Sequence, residues 1–229
     1  MDPSLPFPGF NDAMGRTIVV GDIHGCFDEL TDLIGLLDLK PDDRVIAVGD
    51  LITKGPRNRE VLDLLMSDRR FSSVVGNHDR KIRQKLRGEP VRLTKDQRRV
   101  LKELGPDPGP YEAFLRSLPF TIDLGSHLVV HAGIRPGVEL DKQMASDMTE
   151  IRTMGADPPQ RRGVPWYRVY RGPHTILFGH WPAKQPRRAP YAIGLDTGCV
   201  YGGTLTAFVV ETAEFISVPA RQKYTGKRS

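Results

Sequence analysis

The stretch "RVIAVGDLITKGP", residues 44–56, contains the pattern that decides the fold. An apolar run, Val45 to Val48, ends at Gly49 and is followed at once by a carboxylate, Asp50. A short apolar, β-branched run bounded by glycine predicts a buried strand. A charge at the end of a buried strand needs a compensating partner. The stretch therefore raises two questions: what neutralises Asp50, and why Thr53 and Lys54 are the next polar residues.

Strands and helices alternate through the first half of the chain. Strands are predicted at 17–20, 44–48 and 72–75, with helices at 27–39 and 58–66 between them. This order predicts a largely parallel sheet covered by helices, and the fold class is α/β. In the second half, short links join predicted strands at 127–130, 175–178, 192–195, 205–210 and 215–218. The short links indicate a more antiparallel arrangement there.

The whole chain, residues 1–229, is predicted to form a single domain. Residues 1–14 are expected to be an N-terminal extension, 80–118 a helical insertion and 220–229 a mobile tail. Within the insertion, Thr94 and Gln97 form a capping box before a helix that stops at Gly105. Residues 155–173, rich in proline and arginine, are expected to be irregular.

Composition narrows the function classes only coarsely. The chain has 39% hydrophobic and 27% charged residues, a net charge of +5, and no apolar run long enough to cross a bilayer. The N-terminus lacks the pattern of a signal peptide, and Cys26 and Cys199 are too few for a disulfide framework. These features predict a cytoplasmic protein without a membrane partner. The positive charge suits anionic substrates or nucleic acid.

Polar residues with metal-binding chemistry follow six of the apolar runs. The motifs are "GDIHG", "GDLITKGP", "GNHD", "HAG", "GHW" and "DTG", which supply Asp22, His24, Asp50, Asn77, His78, Asp79, His131, His180 and Asp196. Taken singly, a strand-end Asp is usually a turn or cap residue, and a lone His is usually structural. Because the carboxyl ends of strands line the ligand crevice of α/β proteins, the repetition instead predicts a metal site.

The residue types indicate which metal site to expect. Asp22 and His24 project the same way in extended backbone and can chelate one ion. Asn77, His131 and His180 come from three other strand ends and can hold a second ion, with Asp50 bridging the two. Oxygen and imidazole ligands without thiolate suit Mn, Fe, Co or Zn. Two such ions can clamp a phosphoryl group and lower the pKa of a bridging water toward ~7.

The ordered motifs "GDIHG", "GDLITKG", "GNHD", "HAG" and "GH" resemble the phosphoprotein-phosphatase family of calcineurin-like metallophosphoesterases. The resemblance spans residues 21–180 and implies two packed mixed β-sheets flanked by helices, with a dinuclear site between the sheets. It implies two divalent ions, with Mn²⁺ favoured over Fe, Co or Zn. It also implies that His78 protonates the leaving group and that Asp50 joins the first ion's ligands, Asp22 and His24, to the second ion's, Asn77, His131 and His180.

The sequence departs from that family's "GDxVDRG" motif at two positions. Thr53 stands in place of an Asp that supports the charged catalytic His, and Lys54 in place of an Arg. Thr53 cannot stabilise an imidazolium as a carboxylate does, so the site suits good leaving groups such as nucleoside diphosphates. The "GDLITKGP", "VVHAGIRPG" and "GLDTGCVYGG" segments also resemble symmetrical diadenosine tetraphosphatases and their ApaH-like relatives. That resemblance implies cleavage of diadenosine tetraphosphate to two ADP by a dinuclear, metal-activated hydroxide.

Other functions stay open. The substrate could instead be a serine/threonine phosphoprotein, a small phosphoester or a capped RNA 5′ end, and a nucleic-acid-binding module without turnover is a further alternative. Lys54, Arg152 and Arg57 are candidate phosphate-binding residues. The alternatives are a solvated loop charge for Lys54, a surface helix charge for Arg152 and a helix-start cap for Arg57. Tyr167, Trp181 and Tyr201 are candidates to stack on a base, with burial in the core as the alternative.

Overall fold

The protein is described by a computed structural model that covers residues 15–155 and 163–226. The strands in chain order are β1 (Thr17–Val20), β2 (Arg44–Ala47), β3 (Phe71–Ser73), β4 (Thr121–Asp123), β5 (His127–Val130), β6 (Thr153–Met154), β7 (Val164–Pro165), β8 (Thr175–Phe178), β9 (Arg187–Ala189), β10 (Ala192–Gly194), β11 (Thr204–Val209) and β12 (Glu214–Pro219). The helices are α1 (Phe27–Leu37), α2 (Asn58–Ser67), α3 (Asn77–Leu86), α4 (Lys95–Glu103), α5 (Gly109–Ser117), α6 (Ala145–Glu150) and α7 (Trp166–Val169). Two 3₁₀ turns occupy Leu140–Lys142 and Cys199–Tyr201.

The first sheet has the strand order β12-β11-β1-β2-β3. The predicted parallel pairs are present, with Ile18 opposite Val45 and Val45 opposite Phe71. On the other side of β1, β11 pairs antiparallel to β1 and β12 pairs antiparallel to β11. The crossover helices α1 and α2 allow the parallel pairing, whereas the short link between β11 and β12 permits only a hairpin.

The second sheet has the order β4-β5-β8-β10-β9. Its central strands β5, β8 and β10 are parallel, and the edge strands β4 and β9 are antiparallel to their neighbours. Strands β6 and β7 form a separate two-stranded ladder. Both main sheets are therefore mixed, as the sequence resemblance implies.

The two sheets pack face to face. Their shared core consists of buried side chains from both sheets: Val19, Ile46, Val48, Val74, Val129, Leu177, Leu195 and Phe208. The opposite face of the first sheet packs against α1, α2 and the helical segment, and that of the second sheet packs around the buried Trp166. The α/β class and the arrangement of two mixed sheets flanked by helices are thus confirmed.

The segment predicted as a helical insertion, 80–118, contains α4, α5 and most of α3, which begins earlier than predicted, at Asn77. Thr94 accepts the backbone N–H of Gln97, whose side chain accepts the backbone N–H of Thr94, so the predicted capping box is present. Gly105 has φ of +78°, which suits a residue that follows a helix end. Val100 and Leu115 of this segment lie in the same core cluster as α1, so the segment packs onto the first sheet's helices.

Several local predictions differ from the structure. Strand β3 begins and ends earlier than the predicted 72–75, and the edge strands β4 and β9 were not predicted. Of the stretch expected to be irregular, 156–162 lie outside the described residues, and the part after them contains β7 and α7. The expected extension 1–14 also lies outside the described residues.

The segment 220–226, expected to be mobile, contacts the body of the protein. Ala220 donates its N–H to the Gly203 carbonyl at 2.8 Å, and Tyr224 donates its N–H to the Val200 carbonyl at 3.1 Å. Residues 227–229 are not among those described. In the described ranges, each helix is too short or too polar to pass through a bilayer.

Candidate metal centre and substrate cavity

The strand-end residues of both sheets meet in one place, as their positions in the sequence predict. Side-chain ligand atoms of Asp22, His24 and Asp50 all lie within 4.8 Å of one another. The same limit holds for a second group, formed by Asp50, His131 and His180. The two groups share Asp50, which lies in the loop three residues after the end of β2. The geometry can therefore hold two neighbouring cations.

Asp50 lies between the two groups. One carboxylate oxygen is 3.5 Å from Nε2 of His24, and the other is 3.5 Å from Nε2 of His131. The second oxygen also accepts the backbone N–H of His78 at 2.9 Å. This position is the one expected for a bridging carboxylate. Gly76 is required beside it, because an added Cβ would lie 2.2 Å from the Asp50 carboxylate.

Asn77 completes the second group with an amide oxygen. Its Oδ1 is 3.0 Å from Nε2 of His131 and 3.1 Å from Nδ1 of His180. The other nitrogen of His131 hydrogen-bonds the Val48 carbonyl at 2.8 Å, which fixes the orientation of the ring. All six predicted ligands are thus brought together.

Burial controls the protonation of this cluster. Desolvation raises the pKa of Asp50 to about 6 and holds the pKa of Asp22 well above its usual range. Desolvation also lowers the pKa of His131 to about 4 and the pKa values of His24 and His180 below their usual range. Neutral imidazoles keep a lone pair for a metal, and buried carboxylates lack the water that would stabilise their charge.

The donor set fits divalent cations. Nε2 of His180 is buried and has no hydrogen-bond partner among the described residues, so this lone pair is left for a ligand. Carboxylate, amide and imidazole donors without sulfur are the set that Mn, Fe, Co and Zn share. Cys26 and Cys199 are buried in the core beside the first sheet, where they form with Glu29 a separate group outside this centre.

Two further carboxylates support the cluster, and neither was given a role from sequence. Asp79 is fully buried and accepts the backbone N–H groups of Gly76, Leu51 and Ile52 at 3.0–3.3 Å. It therefore holds the loop that follows Asp50. Asp196 lines the cavity beside the cluster. Both follow apolar runs in the sequence, but only the structure separates loop support from metal ligation.

Backbone strain is concentrated at the site. Seven non-glycine residues in the described ranges have positive φ, and five of them belong to the cluster or its loops: His24, Asp50, Thr53, Lys54 and His180. Positive φ costs free energy in a residue with a Cβ, and such strain persists only where surrounding contacts enforce it. The backbone is therefore held in a conformation that serves the side chains.

The two unusual polar residues of the opening stretch both contact histidines. The Thr53 hydroxyl is 2.6 Å from Nδ1 of His78, and Nζ of Lys54 is 2.7 Å from Nε2 of His24. Lys54 also lies 5.4 Å from the centre of the Tyr201 ring. Thr53 thus orients His78, and Lys54 brings a positive charge beside the metal ligands.

A cavity of about 380 Å³ opens over the cluster. Its lining comprises His24, Asp50, Lys54, Asn77, His78, Thr94, Asp96, Arg152, His180, Trp181, Pro182, Asp196, Tyr201, Thr225 and Gly226. This volume lies in the range of small-molecule sites. Residues from the helical segment and from the C-terminal segment contribute to the wall, and their sequence patterns indicated only a helix cap and a polar tail.

The candidate phosphate-binding residues are not equally placed. Lys54 and Arg152 line the cavity, and Arg152 donates to the His180 carbonyl at 3.3 Å. Arg57 does not line it: its guanidinium pairs with Asp28 and Glu60 and lies over the Phe27 ring. The prediction that Arg57 binds substrate is therefore not supported, because carboxylates on α1 and α2 hold the side chain away from the cavity.

The candidate stacking residues also separate. Trp181 and Tyr201 line the cavity. Tyr167 instead stacks on Phe178, with ring centres 5.6 Å apart, and belongs to the packing around Trp166. The alternative of core packing thus applies to Tyr167.

Comparison with known proteins agrees with this geometry. The family model for calcineurin-like phosphoesterases matches residues 15–210. An asymmetrical bis(5'-nucleosyl)-tetraphosphatase PrpE from Geobacillus sp. (strain WCH70) is 32% identical, over 92% of this chain and 96% of the relative. The protein of the same name from Bacillus subtilis (strain 168) is 30% identical, over 92% of this chain and 97% of its own length.

Solved structures show the same fold. A crystal structure of a candidate diadenosine tetraphosphatase superposes with a TM-score of 0.79 at 34% identity, over 92% of this chain and 96% of that chain. A protein serine/threonine phosphatase from Saccharomyces cerevisiae superposes with a TM-score of 0.61 at 16% identity, over 92% of this chain and 81% of that chain, which is a likeness of fold alone. The match over residues 15–210 and the relatives at 30–32% identity lead to one conclusion: the chain belongs to the calcineurin-like phosphoesterase family.

Proposed function

We propose that this protein hydrolyses a phosphoanhydride bond of dinucleoside polyphosphates, with diadenosine tetraphosphate as the reference substrate. The observation that carries the proposal is one cavity that opens over two ligand groups joined at Asp50 and is also lined by the cationic side chains Lys54 and Arg152. A phosphate chain carries several negative charges. Two bound cations beside two positively charged side chains would therefore bind it better than they would bind a neutral group.

The cleavage position is the finer part of the proposal. The resemblance to symmetrical enzymes leads to ADP as the only product, whereas relatives at 28–32% identity carry the name of the asymmetrical enzyme. We therefore favour asymmetrical cleavage, to ATP and AMP. Symmetrical cleavage is the alternative outcome, since both use the same cavity and the same chemistry.

In this proposal Asp22, His24 and Asp50 hold one divalent ion, and Asp50, Asn77, His131 and His180 hold another. When bound, two such ions supply an activated water and neutralise charge on the phosphates, and Mn²⁺ is the favoured metal. The protein fixes the ligands before substrate arrives: Asp79 holds the loop after Asp50, and the Val48 carbonyl holds His131.

Lys54 and Arg152 bind phosphate oxygens. Lys54 acts as a point charge, since an ammonium lacks the paired donors of a guanidinium. Arg152 offers such pairs and is positioned by its hydrogen bond to the His180 carbonyl. Both lie on the cavity wall with the metal ligands, so they stabilise the negative charge that develops during cleavage.

His78 assists the leaving group. Its Nδ1 is held by the Thr53 hydroxyl, and its ring lies edge-on to His24 with centres 5.1 Å apart. A neutral hydroxyl at this position supports a charged imidazole less than a carboxylate would. A nucleotide leaves as a stable anion and needs little protonation, which is why we favour anhydrides over phosphoserine or alkyl phosphates.

The test is an assay of the metal-loaded protein with diadenosine tetraphosphate, a phosphoserine peptide and capped RNA, with all products separated. We expect the dinucleotide to have the highest kcat/KM and to yield ATP and AMP in equal amounts. ADP alone would reassign the cleavage position. Preference for the peptide or the capped RNA, with the Asp50→Asn variant inactive on all substrates, would refute the proposed substrate class.

A further inference from the structure

The segment that follows β12, residues 220–226, is held by a buried carboxylate. Glu29 of α1 is fully buried, and its Oε1 accepts the backbone N–H of Arg221 at 2.9 Å and the hydroxyl of Tyr224 at 2.8 Å. The Arg221 guanidinium pairs with Asp32 one turn further along α1. A buried carboxylate is costly unless it is hydrogen-bonded, so these contacts fix the segment against α1.

The same segment is joined to the turn that contains Tyr201. Tyr224 and Thr225 both donate their backbone N–H groups to the Val200 carbonyl, at 3.1 and 3.2 Å. Val200 directly precedes Tyr201, whose ring lies under Nζ of Lys54. Thr225 and Tyr201 therefore form adjacent parts of one wall, next to the side chain assigned to phosphate.

The segment contributes to the cavity without contributing charge. Its lining residues are Thr225 and Gly226, and Tyr201 lies beside them. The cationic lining residues are Lys54 and Arg152. A hydroxyl, an aromatic ring and exposed backbone suit a sugar and a base, which need hydrogen bonds and stacking, whereas phosphates need positive charge.

We propose that residues 220–226 and Tyr201 form a nucleoside-binding wall of the cavity. A substrate whose phosphate contacts Lys54 extends its nucleoside over Tyr201 and along Thr225, and Glu29 keeps this wall in place. The inference rests on the proposed function for its substrate class. Tyr201 lies within the part matched by the family model, whereas residues 220–226 lie beyond it.

The test compares ligands that differ only in the nucleoside. Dissociation constants of ATP and of inorganic tripolyphosphate are measured by calorimetry on the metal-loaded full chain, at one free metal concentration. The variants are Thr225→Leu, which replaces the hydroxyl by bulk, and Gly226→Leu, at a position where an added Cβ meets no atom within 4 Å. The matched control is Thr212→Leu, a change of the same kind at an exposed turn.

We expect the wild type to prefer ATP and each wall variant to reduce that preference about tenfold, because the added leucine side chain obstructs the nucleoside and leaves the phosphates free. Tripolyphosphate affinity should be unchanged, and Thr212→Leu should behave as the wild type. The proposed wall would be refuted if a variant binds ATP and tripolyphosphate more weakly by the same factor. It would also be refuted if the folded variants keep the wild-type preference for ATP. A wild type that prefers ATP but leaves diadenosine tetraphosphate intact would refute the proposed reaction and retain the wall.

Discussion

The hydroxyl of Thr53 lies 2.6 Å from Nδ1 of His78, in the position where the phosphoprotein-phosphatase motif has a carboxylate. Thr53 is fully buried and has φ of +84°, an unfavourable conformation for a β-branched residue. Aspartate tolerates that conformation better than threonine does. The site thus holds a hydroxyl where a carboxylate would fit the backbone more easily, and this relationship can be tested directly.

Thr53→Asp should shift the preference toward poor leaving groups. A carboxylate at Nδ1 favours the protonated imidazole of His78, and general acid assistance contributes about 10²–10⁴-fold where the leaving group requires it. We expect kcat/KM for a phosphoserine peptide, relative to that for diadenosine tetraphosphate, to rise about tenfold or more. Thr53→Ser keeps the hydroxyl and should leave the ratio unchanged. If the ratio of the two kcat/KM values is unchanged in a metal-loaded Thr53→Asp variant, Lys54 or the helical segment sets the substrate preference and Thr53 does not.

Asp50→Asn should lose both metal ions, because its two oxygens face histidines of different ligand groups, at 3.5 Å each. His24→Ala should mainly weaken one ion, since His24 belongs to one group only. The measurement is metal content per chain after purification, with Asp96→Asn as the matched control in the cavity wall. Two tightly bound ions in Asp50→Asn would show that this carboxylate does not bridge.

Asp43→Asn should destabilise the fold at neutral pH but not in acid. Burial opposes ionisation of Asp43, but the Arg16 guanidinium and the backbone N–H groups of Lys40 and Arg16 outweigh it and hold its pKa at about 2. A depressed pKa adds stability above the ordinary value of 3.8, and this stability disappears as pH falls through about 2.

The free energy of unfolding, measured with urea, should therefore differ between wild type and Asp43→Asn by about 1–2 kcal/mol at pH ~6. The difference should shrink steadily below pH ~4. Asp42→Asn, at the exposed neighbouring position, should show no such dependence. A difference that stays constant down to pH ~2 would mean that the Arg16 pair does not depress the Asp43 pKa.

Gly133→Ala should be strongly destabilising. Gly133 has φ of +155°, and an added Cβ would lie 2.3 Å from the indole of Trp166, which is fully buried. Overpacking of a core costs about 1–3 kcal/mol, and the backbone conformation adds to that. Gly35→Ala is the opposite case, because its Cβ meets no atom and α1 gains about 0.5–1 kcal/mol of helix propensity. Melting temperatures should thus move in opposite directions. Equal shifts would contradict the Trp166 contact.

The clustering of the candidate metal ligands could be predicted from sequence because each follows a short apolar run within a few residues. Asp22 and His180 are 158 positions apart, yet the two motifs alone place them at strand ends that meet. Arg57 was less predictable, since a basic residue after a phosphate motif has the same pattern whether it faces the cavity or a carboxylate. Here Asp28, 29 positions earlier, decides its direction.

The part of the cavity wall formed by residues 220–226 could not be predicted from the sequence, for a different reason. A polar segment such as 220–226 has the composition of a mobile tail, and its position depends on partners distant in sequence, among them the buried carboxylate of Glu29 and the Val200 carbonyl. Strands β4 and β9 are three residues long and lie at sheet edges, where no continuous apolar run is needed. The local sequence pattern therefore predicts buried strands and the residues at their ends. It does not predict which distant residues a polar segment contacts.

The position of β1 between β2 and β11 has a consequence for folding during translation. Strands β1 and β2 are synthesised early, but β11, which pairs with the other side of β1, comes from residues 204–209. The backbone N–H of Thr17 likewise has its partner, the Glu211 carboxylate, only late in synthesis. The Asp22 carboxylate likewise cannot accept its hydrogen bond from the backbone N–H of His180 until most of the chain has been synthesised. A nascent chain therefore exposes an open edge of β1 until residues 204–209 are made, and the candidate metal site is incomplete until His180 is made.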